Sequence, residues 1–243
     1  MKKLFKEIRN FNLEGVQAII EKKPETISCV ATPPPKKDMG QSPLQVAVKI
    51  GAFDIAYYLM EQGADVNFME EEAEGVTLRM PILQDAIRTT LHSLCYGRTE
   101  DSEQGLQLVK NLLEKGADPN KCASSGFAAL DSCVADAEYI LESPGAYPNV
   151  QKEAETQLIA LLDLLIQHGA DYMRWAEKGH YPEPSPLETN RERYLDDFVP
   201  EPDVEREYTL KGRVFKTVVK GDVDRTQHMR AIMQKYWKEH GYV

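Results

Sequence analysis

The sequence predicts an all-α fold, a solenoid of about five helix-turn-helix units carrying long inserted loops. Three observations predict it. Gly63-Ala64-Asp65, Gly116-Ala117-Asp118 and Gly169-Ala170-Asp171 recur at a constant interval of 53 residues, and self-similarity at a fixed period marks a repeat architecture. Each tripeptide closes an apolar helical stretch, at residues 55–60, 108–113 and 161–166; a left-handed Gly ends a helix there at no steric cost. Upstream of each lies a pentad, Leu44-Gln45-Val46-Ala47-Val48, Leu83-Gln84-Asp85-Ala86-Ile87 and Leu130-Asp131-Ser132-Cys133-Val134. Large residues first and fifth with a small one fourth form one helix face, and the small residue admits a neighbouring helix.

Taken in order, residues 4–22 (LFKEIRNFNLEGVQAIIEK) read as a first helix pair, with Pro24 beyond it. Ser42-Pro43 supplies an N-cap and a first-turn proline for the second unit, 42–67. Ser42-Pro43-Leu44-Gln45-Val46-Ala47, then Gly51 and the apolar helix running on to Asn67, resembles the ankyrin repeat. That family's pattern is T-P-L-H-x-A-A, a Gly, an apolar helix, then G-A-D-x-N. Gln45 replaces the His and Val48 the second Ala. In the same register Phe11 stands where an inter-helix Gly belongs, making 4–22 a capping unit. Pro81-Ile82 opens the third unit (82–120) in place of T-P. The fourth unit (129–171) follows Ala128, with Gly126 at the finger-turn position. The resemblance covers about two thirds of the chain, and an irregular single-domain array of this size looks like bacterial ones.

A standard unit is about 33 residues. The distance from pentad to Gly is 19 residues in unit two but 33 and 39 in units three and four. The excess therefore falls between the paired helices, on the edge opposite the finger loops, and Leu91, Leu94 and Tyr139-Ile140-Leu141 give part of it helical character. Residues 174–207 hold five prolines among acidic and aromatic side chains, so they form an arm rather than a regular helix. Residues 208–243 are expected to be a C-terminal capping unit. Residues 214–222 resemble its first helix and turn, and Met229, Ile232, Met233, Tyr236 and Trp237 its second helix face. The competing reading of 208–220 is a β-hairpin, since 208–210 and 218–219 also suit strands.

Composition excludes several functions. The 243 residues carry 29 Lys+Arg against 39 Asp+Glu, a net −10, which argues against nucleic-acid backbones and anionic membranes. The whole excess lies in residues 1–173, with 16 basic and 26 acidic side chains. No apolar run approaches the roughly 20 residues of a membrane span, and Glu7 and Arg9 interrupt any leader-like stretch. Cys29, Cys95, Cys122 and Cys133 form no close pair and suit a reducing, cytoplasmic setting.

The search for chemistry is negative. His92, His168, His180, His228 and His240 lack metal-ligand spacing, and no nucleophile, phosphate or dinucleotide motif occurs. No cofactor or metal is expected and the chain reads as a non-enzyme. Cys133 occupies a small-residue core slot, and Glu70 to Glu74 read as a solvated acidic finger.

The family resemblance implies contacts just after each pentad and at the finger tips. In this chain those positions are Arg9, Asn10, Lys49, Ile50, Arg88, Thr89, Ala135, Asp136, Val219 and Lys220. The tips add Met39, Gln41, Glu70, Glu71, Ser124, Ser125 and Phe127. Arg9, Lys49 and Arg88 form a basic stripe, and Met39, Ile50 and Phe127 are apolar where exposure is expected. The expectation is a monomeric inhibitor or adaptor that binds a basic protein partner, such as a toxin-neutralising immunity protein. The alternatives are a secreted effector mimicking ankyrin scaffolds, and an enzyme with a site between the 174–207 arm and the repeats, built on Trp175, His180, Tyr181, Asp196 and Asp197.

Overall fold

The structure is a computed structural model that describes residues 2–33, 36–72, 78–142, 148–173, 193–200, 202–210, 213–219 and 224–242. Most of these belong to four successive helix pairs: α1 (Lys2–Arg9) with α2 (Leu13–Lys22), α3 (Pro43–Lys49) with α4 (Phe53–Glu61), α5 (Ile82–Cys95) with α6 (Thr99–Glu114), and α7 (Ala129–Leu141) with α8 (Pro148–Gln167). The pairs build two rows. In the first, α1 packs on α3, α3 on α5 and α5 on α7; in the second, α2 packs on α4, α4 on α6 and α6 on α8. The pentad residues Leu44, Val48, Leu83, Ile87, Leu130 and Val134 are buried between the rows. Ala47, Ala86 and Cys133, the small fourth residues, are 0 % exposed, so the helices close on one another there.

Local chemistry sets the ends of these helices. The Ser42 hydroxyl accepts the Gln45 amide at 3.1 Å ahead of Pro43. Gly63, Gly116 and Gly169 close α4, α6 and α8 with φ of +89°, +89° and +88°. Phe11, in the α1–α2 turn, is the described non-glycine residue with positive φ, at +54°. Its 60 % exposed ring occupies the place that Gly51 and Gly97 take in later turns.

Asn67 and Asn120 stitch successive units together. Asn67 donates through Nδ2 to the Gly116 carbonyl and accepts the Asp118 amide, both at 2.8 Å. Asn120 repeats both bonds with Gly169 and Asp171, again at 2.8 Å. The third cassette ends in Met173 where the others have Asn, and it has no later cassette to bond. Replacing Asn120 by Ala is expected to lower stability by about 1–2 kcal/mol, because two backbone groups lose their partner. A urea denaturation midpoint that does not fall would show the stitch to be dispensable.

Three expectations change. Unit three carries no inserted loop: α5 and α6 have 14 and 16 residues against 7 and 9 in α3 and α4. The extra residues are additional helical turns, because Leu91 and Leu94 prolong the buried face of α5 at helical spacing. The hydroxyls of Thr90 and Ser93 donate to carbonyls four residues back, at 2.8 and 2.7 Å, so they are satisfied within the helix. Unit four lengthens likewise, with 13 and 20 residues in α7 and α8.

The second change concerns residues 214–222, whose described part is strand rather than helix. β1 (Val204–Leu210) and β2 (Arg213–Val219) form an antiparallel hairpin with Glu207 opposite Lys216, as the β-branched run Thr217, Val218, Val219 favours. The fold is thus mostly helical with a small sheet, not all-α. Third, the helix after the hairpin, α9 (Gln227–Glu239), packs on α7 and so occupies a first-row place. Trp237 and Met233 are 0 % exposed there, Tyr236 donates to Asp163 at 2.7 Å, and the Met229 amide donates to Glu142 at 2.7 Å. From the far end of the Pro-rich segment, Arg193 and Tyr194 both donate to Glu138 of α7. Burial and that carboxylate push the Tyr194 phenol well above its usual range.

Candidate functional site

The first row presents its open side beside the finger segments that join one pair to the next. A glutamine clasps each of the two later fingers to the helix before it. Gln45 of α3 donates through Nε2 to the Met80 carbonyl at 2.9 Å, and Gln84 of α5 donates to the Phe127 carbonyl at 2.8 Å. Both stand second in their pentads, so one side-chain type solves one geometric problem twice. The fingers also join each other: the Glu71 amide donates to Gly40 O at 2.9 Å, and the Ser124 amide to Arg79 O at 2.9 Å.

Across this framework runs a row of ion pairs. Arg9 of α1 donates through Nε to Asp38 at 2.8 Å. Lys49 of α3 lies 2.8 Å from Glu70 and 3.7 Å from Asp85. Arg88 of α5 lies 3.2 Å from Asp136 of α7, which His92 also approaches at 3.2 Å. Each base stands on a first-row helix, and each acid comes from a following finger or helix. The carboxylates are the buried partners, with Asp38, Glu70, Asp85 and Asp136 between 1 % and 6 % exposed. Buried carboxylates need such cations and donors.

Glu70 gathers three donors. It accepts Gln41 Nε2 at 2.8 Å, Lys49 Nζ at 2.8 Å and the Met80 amide at 3.3 Å. Asp85 accepts Gln45 Nε2 at 2.7 Å, and burial pushes its carboxyl up to about 6 against the pull of Lys49 and Gln45.

Between Lys49 and Arg88 the row opens into a cleft of about 270 Å³, walled by Ile50, Phe53, Thr89, His92, Tyr96 and Arg98. Two tyrosines flank it. Tyr96 is 74 % exposed with the Arg98 guanidinium 5.3 Å from its ring centre, and Tyr139 is 68 % exposed and stacks on His92 at 5.8 Å.

The residues expected to meet a partner fall into two groups. Gln41, Lys49 and Glu70 come together in one cluster, and Arg88 with Asp136 in another. These polar groups hold units to each other, so Arg9, Lys49 and Arg88 are not a free basic stripe. Gln41, Glu70 and Asp136 are buried, and Thr89 donates its hydroxyl to the Asp85 carbonyl at 2.9 Å. Glu70 is therefore no solvated finger residue, although Glu71 and Glu72 are exposed and Glu74 lies outside the described residues. Asn10, Ala135 and Ser124 are exposed, while Met39, Ile50, Ser125 and Phe127 are half-buried. Lys220 and the Val219 side chain lie outside the described residues.

The sequence reading missed Asp38, Asp85, His92, Tyr96 and Tyr139. The acids carried one signal, that each base on a first-row helix needs a counter-charge from a neighbouring unit. Tyr96 had another, an aromatic in a turn where Gly97 already meets the conformational need.

Cys133 is fully buried, and burial raises its thiol far above the reactive range. Trp175, His180 and Tyr181, on which an enzymatic reading rests, lie outside the described residues. Asp197 accepts Gln234 Nε2 at 3.3 Å and the Asp196 carbonyl accepts Arg230. Among the described residues no group of three or more His, Cys, Asp or Glu could hold a metal ion, and no helix is long and apolar enough to cross a membrane.

Residues 39–70 match the family model of the ankyrin repeat. The match begins at the first finger, takes in α3 and α4, and ends on Glu70. The chain thus contains ankyrin-repeat sequence, a kind of repeat that generally mediates protein–protein interaction. No curated protein matches the chain.

Proposed function

We propose that the helix pairs form an ankyrin-type solenoid, closed by α9, that acts as an inhibitor or adaptor of a basic protein partner. Its contact surface is the open side of the first row, from Asn10 past the cleft to Ala135 and Tyr139, with the exposed finger residues. The observation that carries this reading is the pair Tyr96 and Tyr139, both more than two thirds exposed beside Arg88, Arg98 and His92. Tyrosine and arginine dominate binding energy when a partner desolvates them. The paired charges beneath hold the surface in shape, so little order has to be created on binding. Net charge −10 supports attraction of a basic protein over distance.

A toxin-neutralising immunity role is the form of inhibition that suits an acidic module attracting a basic protein. The test is capture of the tagged chain's partner from the producing cell at low salt, identified by mass spectrometry. One stoichiometric basic protein is expected, whose association rate falls as salt rises. The double variant Tyr96→Ala, Tyr139→Ala should bind it at least about tenfold more weakly. A partner held equally well by that variant, with a rate indifferent to salt, would overturn the assignment of the surface. A bound small molecule with no protein would overturn the function.

A further inference from the structure

Charge is divided sharply along the repeats. Residues 1–37 carry eight Lys+Arg against four Glu, a net of +4, whereas residues 38–173 carry eight against 22, a net of −14. The basic end holds a pocket of its own, about 340 Å³, between α1 and the first finger. Its floor is apolar, formed by Phe5 and Ala31, which are 5 % and 6 % exposed. Lys2, Lys6 and Lys37 stand exposed around it and make no ion pair among the described residues. Arg9 closes the inner side and is held in place by Asp38. Three uncommitted ammonium groups over an apolar floor contrast with the rest of the face, where Lys49 and Arg88 are tied to buried carboxylates.

We propose that this pocket is a recognition site for an acidic peptide segment of a partner protein, one aliphatic side chain entering the floor and flanking carboxylates meeting the lysines. Such a segment matches the pocket in both charge and polarity. An ammonium ring favours carboxylates, and the Phe5–Ala31 floor is dry enough to favour an alkyl group over bare ions. The site extends the protein-binding reading and gives it a direction. A partner that is basic elsewhere must lie with its acidic segment at the α1 end, because the remaining face is acidic.

The pocket can be tested without the natural partner. A short fluorescein-labelled peptide with one leucine flanked by glutamates is titrated against the full chain at low salt and followed by fluorescence anisotropy. Saturable binding is expected, weakened about tenfold or more by the double variant Lys6→Glu, Lys37→Glu. Both positions are exposed, and an unchanged circular dichroism spectrum confirms that the variant is folded. An all-glutamate peptide of equal charge should bind several-fold more weakly. No saturable binding, or binding indifferent to the charge reversal, would overturn the site. Equal affinity for the all-glutamate peptide would overturn the apolar half of the proposal. Because the ligand is synthetic, either failure leaves the Tyr96–Tyr139 surface to be judged by its own experiment.

Discussion

Gly105→Val is expected to lower the stability of the chain by about 3 kcal/mol, the upper range for forcing extra atoms into a packed helix contact. Gly105 lies in α6 against Thr90 of α5. A Cβ added there would stand 2.6 Å from Thr90 Oγ1 and 3.0 Å from Thr90 Cα. The hydroxyl is fixed by its bond to the Ala86 carbonyl, and Cα is backbone, so neither can swing aside. Even Gly105→Ala should destabilise, although alanine in a helix interior is favoured over glycine by about 1 kcal/mol. Adding Thr90→Ala should recover part of the loss, since the hydroxyl goes and Cα stays. Urea denaturation of the single and double variants measures all three. A stabilised Gly105→Ala chain would show that α5 and α6 can separate at no cost.

That contact bears on what the sequence disclosed. The repeat was legible because Gly63, Gly116 and Gly169 answer a local demand, positive φ, that few other residues meet. The pentads were legible for a similar reason, since burial requires large and small residues at fixed spacing. The lengthening of α5 and α6 was only partly so. Counting residues located the excess between the helices, but whether it folds as loop or helix depends on what covers Leu91 and Leu94. The hairpin, with its β-branched run, stood as one of two readings because propensity alone does not choose between them.

The candidate face was least legible, for an electrostatic reason. A repeat register tells which side of a helix a basic residue occupies, and it assigns Arg9, Lys49 and Arg88 to equivalent places on successive helices. It does not tell what stands opposite them. Asp38, Glu70 and Asp136 lie 29, 21 and 48 residues further on, a spacing that follows from no single period. The uncommitted lysines at the α1 end emerge as distinct only once those pairs are removed from consideration.

Comparing equivalent sites in two units gives the other large effect, at Asp85. Gln84 of unit three donates to its finger and accepts the Ser132 hydroxyl at 2.9 Å. Gln45, its counterpart in unit two, faces Asp85 where Ser132 would be, and its Oε1 is buried with no hydrogen-bond partner. An ionised Asp85 cannot donate to it; a neutral one can. Lys49, Gln45 and Arg88 favour the charged form, burial and Glu70 disfavour it, and burial wins, placing the group at about 6. The unfolded value is about 3.9. The folded chain therefore binds this proton more tightly, and the stability it contributes is full below about pH 4 and lost as pH rises through about 6. Asp85→Asn holds the site neutral and brings an amide donor within reach of Gln45. Thermal melts at several pH values should show the variant more stable than wild type at pH 7.5 by on the order of 2–3 kcal/mol, from about two pKa units. The difference should shrink to near zero by pH 4, while other carboxylates cancel between the two curves. A variant less stable at pH 7.5 would mean that the Lys49–Asp85 attraction outweighs the cost of burying the charge. Unit two would then be held by an ion pair where unit three is held by a hydroxyl.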